Sequence, residues 1–209
     1  MRKKQIDSFF NRLDRALDKR AQIILVGASA GTLMGHIRPS VDIDFEIRPT
    51  SRIRLRDPDE WDRAIKDTAQ AMGVAVNYSA DISHWSMVSY LDYRKTALPY
   101  KTFGKLAVKL IAPQYWTIGK MARFIRTDIE DIVKIIRVKK LSWQKLTSLW
   151  AKAVLDSVLS LELGQFRQHV VTFIKEYGKR CWGRDFTPDE AIRAFDRKSV
   201  SSTKNRTSS

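Results

Sequence analysis

The stretch ILVGASAGTLMGHIRPSVDIDFEIR, Ile24 to Arg48, carries an apolar run into small residues and re-emerges as a second run with two aspartates one residue apart. AQIILV, residues 21–26, reads as a buried strand. After Gly27, the small residues ASAG with Leu33 and Met34 suit a short helix, which Gly35 and the Pro39 region end. VDIDFEIR then alternates strictly, so a strand there turns Val41, Ile43, Phe45 and Ile47 to a core and Asp42, Asp44, Glu46 and Arg48 the other way. The two aspartates then lie roughly 7 Å apart at their Cβ atoms, near enough to converge on a hard cation. Oxygen ligands with no nearby cysteine or close histidine pair favour Mg²⁺ or Mn²⁺ over zinc. Acidic residues on a solvated strand face are ordinary in themselves. The upstream Gly27, Ala28 and Ser29 add to the signal, because small residues allow close backbone approach and a helix N-terminus aims free N–H groups at an anion. A phosphate cradle beside a carboxylate pair is nucleotide chemistry, although neither G-x-x-x-x-G-K-[ST] nor G-x-G-x-x-G occurs.

Around this centre the chain divides by pattern. Ile6, Phe9, Phe10, Leu13 and Leu17 recur at helical spacing, predicting an amphipathic helix that ends near Asp18–Arg20. Pro49 and Pro58 bracket a basic loop, TSRIRLRD; DEWDRAIKDTAQAM is a helix stopped by Gly73, and VAVNYS, MVSYLDY and KLAVKLI read as strands. From Pro113 the pattern is helical: APQYWTIGKMARFIR, TDIEDIVKIIRV, SWQKLTSLWAKAVLDSVLSL, GQFRQHVVTFIKEYGKR and TPDEAIRAF. Thr127 with Glu130 has capping-box spacing, and Thr187-Pro188 is a second start signal. The expected organisation is an α+β core over residues 1–112, a mixed sheet flanked by helices, then a helical region over 113–197 and a disordered basic tail over 198–209.

The 209 residues carry 38 Lys+Arg against 23 Asp+Glu, a net charge of +15. Residues 1–100 hold 16 basic and 13 acidic side chains, a balance of +3; residues 101–209 hold 22 and 10, a balance of +12. A C-terminal basic excess points to a polyanionic partner, nucleic acid first, since neutralising phosphates releases counterions. A plain solvated basic surface is the alternative. No run reaches the roughly 18 apolar residues of a membrane span, and charges stand where a signal peptide needs its apolar segment. One cysteine, Cys181, excludes an internal disulfide. A soluble protein with no membrane partner, in a bacterial cytoplasm, is the expectation.

The order strand, Gly-small-Ser, short helix and R-P-S-V-D-I-D-F resembles the signature of the nucleotidyltransferase superfamily, particularly the AbiEii-like and minimal nucleotidyltransferase-like proteins of toxin–antitoxin systems. The likeness covers about Leu25 to Arg137, because LAVKLIAPQYWTIGKMARFIRTDIEDIVKII is similar to a later family stretch in which a lysine precedes R-x-D-x-x-D-I. It implies a catalytic set of Asp42, Asp44, Lys120, Asp128 and Asp131. Asp42 and Asp44 would hold Mg²⁺ or Mn²⁺. Gly27, Ala28, Ser29 and Lys120 would hold the triphosphate of an NTP, and Asp128 or Asp131 would orient Lys120 or the metal shell. The chain departs from the family in having Ala28 where a second Gly or a Ser is usual. It also has no clear third strand carboxylate; Asp81, equally suited to a turn or helix cap, is the one candidate.

Other readings compete residue by residue. Lys120 also suits a helix edge with its ammonium in solvent, and Asp128 also suits a helix N-terminus. His36, His84 and His169 are too scattered for a metal set, and Trp143, Trp150 and Phe166 fit a core better than a base-stacking platform. The implied function is transfer of NMP from an NTP to an acceptor hydroxyl. The expected acceptor is RNA, a tRNA 3′ end above all, in a toxin whose partner is a cognate antitoxin protein. Two alternatives stay open: an inactive basic binding or antitoxin-like module, and nucleotidylation of a protein.

Overall fold

A computed structural model describes residues 1–35, 38–50 and 58–200; residues 36–37, 51–57 and 201–209 lie outside the described residues, and with them His36, most of the expected basic loop and most of the expected tail. The chain forms two compact units. The first comprises Met1–Ile82 and Arg94–Ala112, the second Ser83–Tyr93 and the chain from Pro113 on.

The first unit is built on a five-stranded mixed sheet in the order β3-β2-β1-β5-β4. Its elements run α1 (Lys3–Ala16), β1 (Ala21–Leu25), α2 (Gly27–Gly35), β2 (Asp42–Pro49), α3 (Pro58–Met72), β3 (Ala75–Ser79), β4 (Leu98–Phe103) and β5 (Leu106–Leu110). β1 is antiparallel to β2 and parallel to β5, while β3 runs parallel to β2. The expected helical stripe forms in α1: Ile6, Phe9, Phe10 and Leu13 are fully buried. Phe10 meets Phe45 of β2 edge-on, with ring centroids 5.8 Å apart, and Tyr78 of β3 stacks on the same ring at 5.6 Å. The core face of β2 is therefore Ile43, Phe45 and Ile47. Val41 does not join it: it precedes the strand and is 80% exposed.

β4 has no counterpart among the expected strands. Its sequence, LPYKTF, hides the alternation behind a proline and a lysine, as an edge strand does. It pairs antiparallel with β5 through a two-residue turn in which Gly104 takes φ +52°. Asp14 of α1 accepts the Lys105 N–H at 2.6 Å, and a Cβ on residue 104 would fall 2.9 Å from its Cγ.

MVSYLDY is not the expected strand. A 3-10 turn (Ile82–Trp85) leads into bends and turns, and Tyr93 opens the one-turn helix α4 (Tyr93–Thr96). Serine side chains serve the backbone donors that a ladder would have used. The Ser86 and Ser89 hydroxyls accept from Val88 and Leu91 N–H, and Ser157 accepts from Ser89 N–H at 2.8 Å.

The second unit is helical: α5 (Pro113–Arg123), α6 (Arg126–Lys139), α7 (Trp143–Asp156), α8 (Leu161–Trp182) and α9 (Pro188–Val200). Trp150, Phe166, Phe173 and Phe195 are wholly buried at its centre. The Trp150 indole donates to Thr117 Oγ1 at 3.0 Å, and Trp150 and Phe166 are core side chains, as their spacing indicates; Trp143 packs against the same core, partly buried. Three boundaries differ from expectation. α6 starts at Arg126 with Ile125 as its cap, and no side chain caps it, so Thr127 and Glu130 form no capping box. α7 stops at Asp156, because Ser160 turns its hydroxyl to the Leu163 N–H at 3.1 Å and opens α8. α9 runs to Val200, so residues 198–200 of the expected tail are helical and the rest lies outside the described residues.

Candidate active site

β2 delivers Asp42 and Asp44 to one face of the sheet, both half-buried. The parallel register sets Asn77 of β3 beside Asp44 and Ala75 beside Asp42. The Asn77 side-chain nitrogen donates to Asp44 Oδ1 at 2.8 Å and to Asp42 Oδ2 at 3.2 Å, so one amide spans both carboxylates. Ser40, buried, donates to Asp42 Oδ1 at 3.3 Å and to the Asp42 carbonyl at 2.6 Å.

Gly27 opens α2 at φ +55°, the left-handed region that glycine enters without steric cost. The Val26 N–H bonds to the Asp44 carbonyl at 2.9 Å and draws the α2 start against β2. The Asp44 carboxylate then packs directly on Gly27: a Cβ there would overlap Oδ2 and lie 2.6 Å from Cγ. Ala28 is buried, and Ser29 is fully buried with its hydroxyl donated to the Val26 carbonyl at 3.0 Å. The Ser29 side chain is thus committed to the helix start, and what α2 offers an anion is backbone.

Glu46, next along the same strand face, is 1% exposed. Arg94 of α4 closes on it as a fork, Nε to Oε1 at 2.8 Å and Nη2 to Oε2 at 2.9 Å, and the Ile82 N–H adds a bond at 3.2 Å. The same Arg94 reaches Asp81 at 2.6 Å, and Arg48 reaches Asp81 at 3.5 Å. Asp81 belongs to this arginine-bound group. Sequence reasoning passes over Asn77, whose signal is its place on the strand paired with β2, a pairing no local pattern reveals.

Within the helical unit, Lys120, Asp128 and Asp131 come together. Lys120 is 2% exposed, and its ammonium lies 2.7 Å from Asp128 Oδ1 and 2.8 Å from Asp131 Oδ2. Arg123 holds the second Asp128 oxygen at 3.0 Å, and the Trp116 ring lies 5.1 Å from the ammonium. Lys120 is therefore not the solvent-facing lysine of a helix edge. Phe124, at φ +53°, turns the chain between α5 and α6 and stacks on His169 with centroids 4.6 Å apart. His169 also contacts the Met121 carbonyl at 3.0 Å, a structural placement.

Among the described residues no group of three or more His, Cys, Asp or Glu stands close enough to hold a metal. The oxygen donors at β2 are the two carboxylates, with the Asn77 amide nitrogen turned toward them. That set fits Mg²⁺ or Mn²⁺, which commonly take one or two carboxylates and fill their shell from substrate phosphates and water. The side-chain-free Gly27 that gives Asp44 its room supports the fit.

The mixed sheet thus carries an acidic pair on β2 with a glycine-started helix beside it. The chain belongs to the family described as "nucleotidyltransferase of unknown function (DUF6036)", whose model matches residues 2–181. No curated protein and no solved structure matches it significantly. Among the described residues no helix is long and apolar enough to cross a membrane.

Proposed function

We propose that this nucleotidyltransferase-family protein moves an NMP group from an NTP to an RNA hydroxyl, a tRNA 3′ end above all, and serves as the toxin of a toxin–antitoxin or abortive-infection pair. The observation that carries the chemistry is the Asp42–Asp44 pair, bridged by Asn77 and seated against Gly27. In the reaction the acceptor oxygen bonds to the α-phosphorus, the bond to the β-phosphate oxygen breaks, pyrophosphate leaves, and the hydroxyl proton passes to solvent. Bound Mg²⁺ or Mn²⁺ would neutralise charge on the triphosphate. Asp42 and Asp44 would hold it, and the α2 backbone from Gly27 would face phosphate oxygens. Positioning supplies most of the rate.

Asp128 and Asp131 take two of the three Lys120 N–H donors and would orient its ammonium. In the arrangement observed, these three residues form the charged centre of the helical unit. The RNA assignment rests on the charge of +12 over residues 101–209 and on the exposure of Arg137, Lys139, Lys140, Lys179, Arg180 and Arg184. The AbiEii-like resemblance supplies the toxin role and the antitoxin partner. A second reading, a binding module without turnover, draws on the buried Ser29 hydroxyl and the paired Lys120.

Purified protein incubated with Mg²⁺, each labelled NTP and total cell extract separates these. Label that ribonuclease removes, and that the Asp42→Ala, Asp44→Ala variant fails to transfer, supports RNA modification. Label that protease removes and ribonuclease spares assigns a protein acceptor. No label with any NTP favours the module.

A further inference from the structure

Asn77 stands between two groups that can only accept hydrogen bonds when ionised, which fixes its amide nitrogen toward them. Its two N–H groups serve both carboxylates, which stand on alternate residues of one strand. A divalent cation drawn to Asp42 and Asp44 would meet those N–H groups as a positive end. Rotation of the terminal amide exchanges Nδ2 for Oδ1 with almost no change of shape, and Asn77 is exposed, so the turn is open to solvent.

We propose that Asn77 is a two-position arm of the cation site, nitrogen inward when Asp42 and Asp44 hold no cation and oxygen inward when they hold a divalent one. This rests on the reading of Asp42 and Asp44 as the cation pair. The residue type follows from the double duty. An aspartate at 77 would offer oxygen only and crowd three like charges on neighbouring strands, whereas a leucine would offer neither end. Asparagine keeps the cation-free pair stable and the cation weakly held, so the cation comes and goes with the triphosphate.

The test is Mn²⁺ binding, read from the magnetic resonance signal of free Mn²⁺, together with thermal melting with and without Mn²⁺. Asn77→Asp should bind Mn²⁺ about 10-fold more tightly than the unaltered protein, and Asn77→Leu about 10-fold more weakly. Without Mn²⁺, Asn77→Asp should melt below the unaltered protein; saturating Mn²⁺ should close the gap. A purely structural asparagine would lower the melt equally in both conditions, and that result, or Mn²⁺ affinities within about twofold across the three proteins, overturns the proposal. The Asp42→Ala, Asp44→Ala variant tests the underlying reading separately. If it binds Mn²⁺ as the unaltered protein does, the cation pair itself is wrong, whatever position 77 does.

Discussion

The carboxylate of Asp44 occupies the space that a side chain on residue 27 would need: a Cβ on Gly27 would lie 2.6 Å from Asp44 Cγ and 2.9 Å from its Cβ. Gly27→Ala should therefore damage the site more than the fold. The left-handed φ costs an alanine about 1–2 kcal/mol, and the methyl must push Asp44 off Asn77. Mn²⁺ affinity and nucleotidyl transfer are expected to collapse while the melting temperature falls by only several degrees. A variant that binds Mn²⁺ normally would show that Asp44 has another usable position.

Arg94 forms the fork on the buried Glu46, so removing that arginine leaves the carboxylate with the Ile82 N–H and the longer Arg48 contact at 3.4 Å. Arg94→Met should cost about 3–5 kcal/mol in denaturant unfolding, the range for breaking a buried pair from one side. Adding Glu46→Gln should restore part of that loss, because an uncharged amide tolerates the site better. Strictly additive losses would mean that the two groups do not depend on each other.

The Lys120 cluster obeys the same logic with the signs exchanged. Lys120→Met removes the cation shared by Asp128 and Asp131 in the helical interior. A loss of about 3–5 kcal/mol is expected. Combining Lys120→Met with Asp131→Asn should be less damaging than Lys120→Met alone. Equal stability of Lys120→Met and the unaltered protein, with transfer abolished, would instead make the lysine a phosphate contact.

Burial pushes the Cys181 thiol up to about 12, with Arg180 and Arg137 pulling partly the other way. A thiol raised in the folded state contributes stability that is complete below the unfolded thiol's value, about 8.5, and is lost as pH rises through the folded one. At pH 8 Cys181 should react with a disulfide reagent far more slowly than a free thiol, and at the ordinary rate once guanidinium unfolds the chain. Rapid labelling of folded protein would contradict the burial.

If RNA is the acceptor, Arg137, Lys139 and Lys140 hold it through phosphates. Changing all three to alanine should weaken binding at low salt and flatten the dependence of affinity on salt by about one unit of slope for each phosphate no longer neutralised. An unchanged slope would move the RNA surface elsewhere.

Local pattern determined more of this protein than the site. The stripe Ile6, Phe9, Phe10, Leu13, the alternation at Ile43, Phe45, Ile47, and the helical run from Pro113 each express a periodicity of their own, and each element forms. The order of Gly27, Asp42 and Asp44 carries the resemblance to nucleotidyltransferases, and alternation along a strand puts the two aspartates on one face whatever surrounds them. MVSYLDY misleads because Ser89 and the preceding Ser86 bond backbone donors in turns, and LPYKTF escapes notice because an edge strand hides its pairing under proline and lysine. Most partners of charge were beyond local pattern, and only the resemblance set Asp128 or Asp131 against Lys120. That Asn77 spans Asp42 and Asp44 depends on which strand lies beside β2, and that Arg94 meets Glu46 across 48 positions depends on the path of the intervening chain. Lys120 shows the limit most plainly. Its helical spacing is the same whether the ammonium faces water or two buried carboxylates, and only the packing of α6 beside α5 brings Asp128 and Asp131 to it.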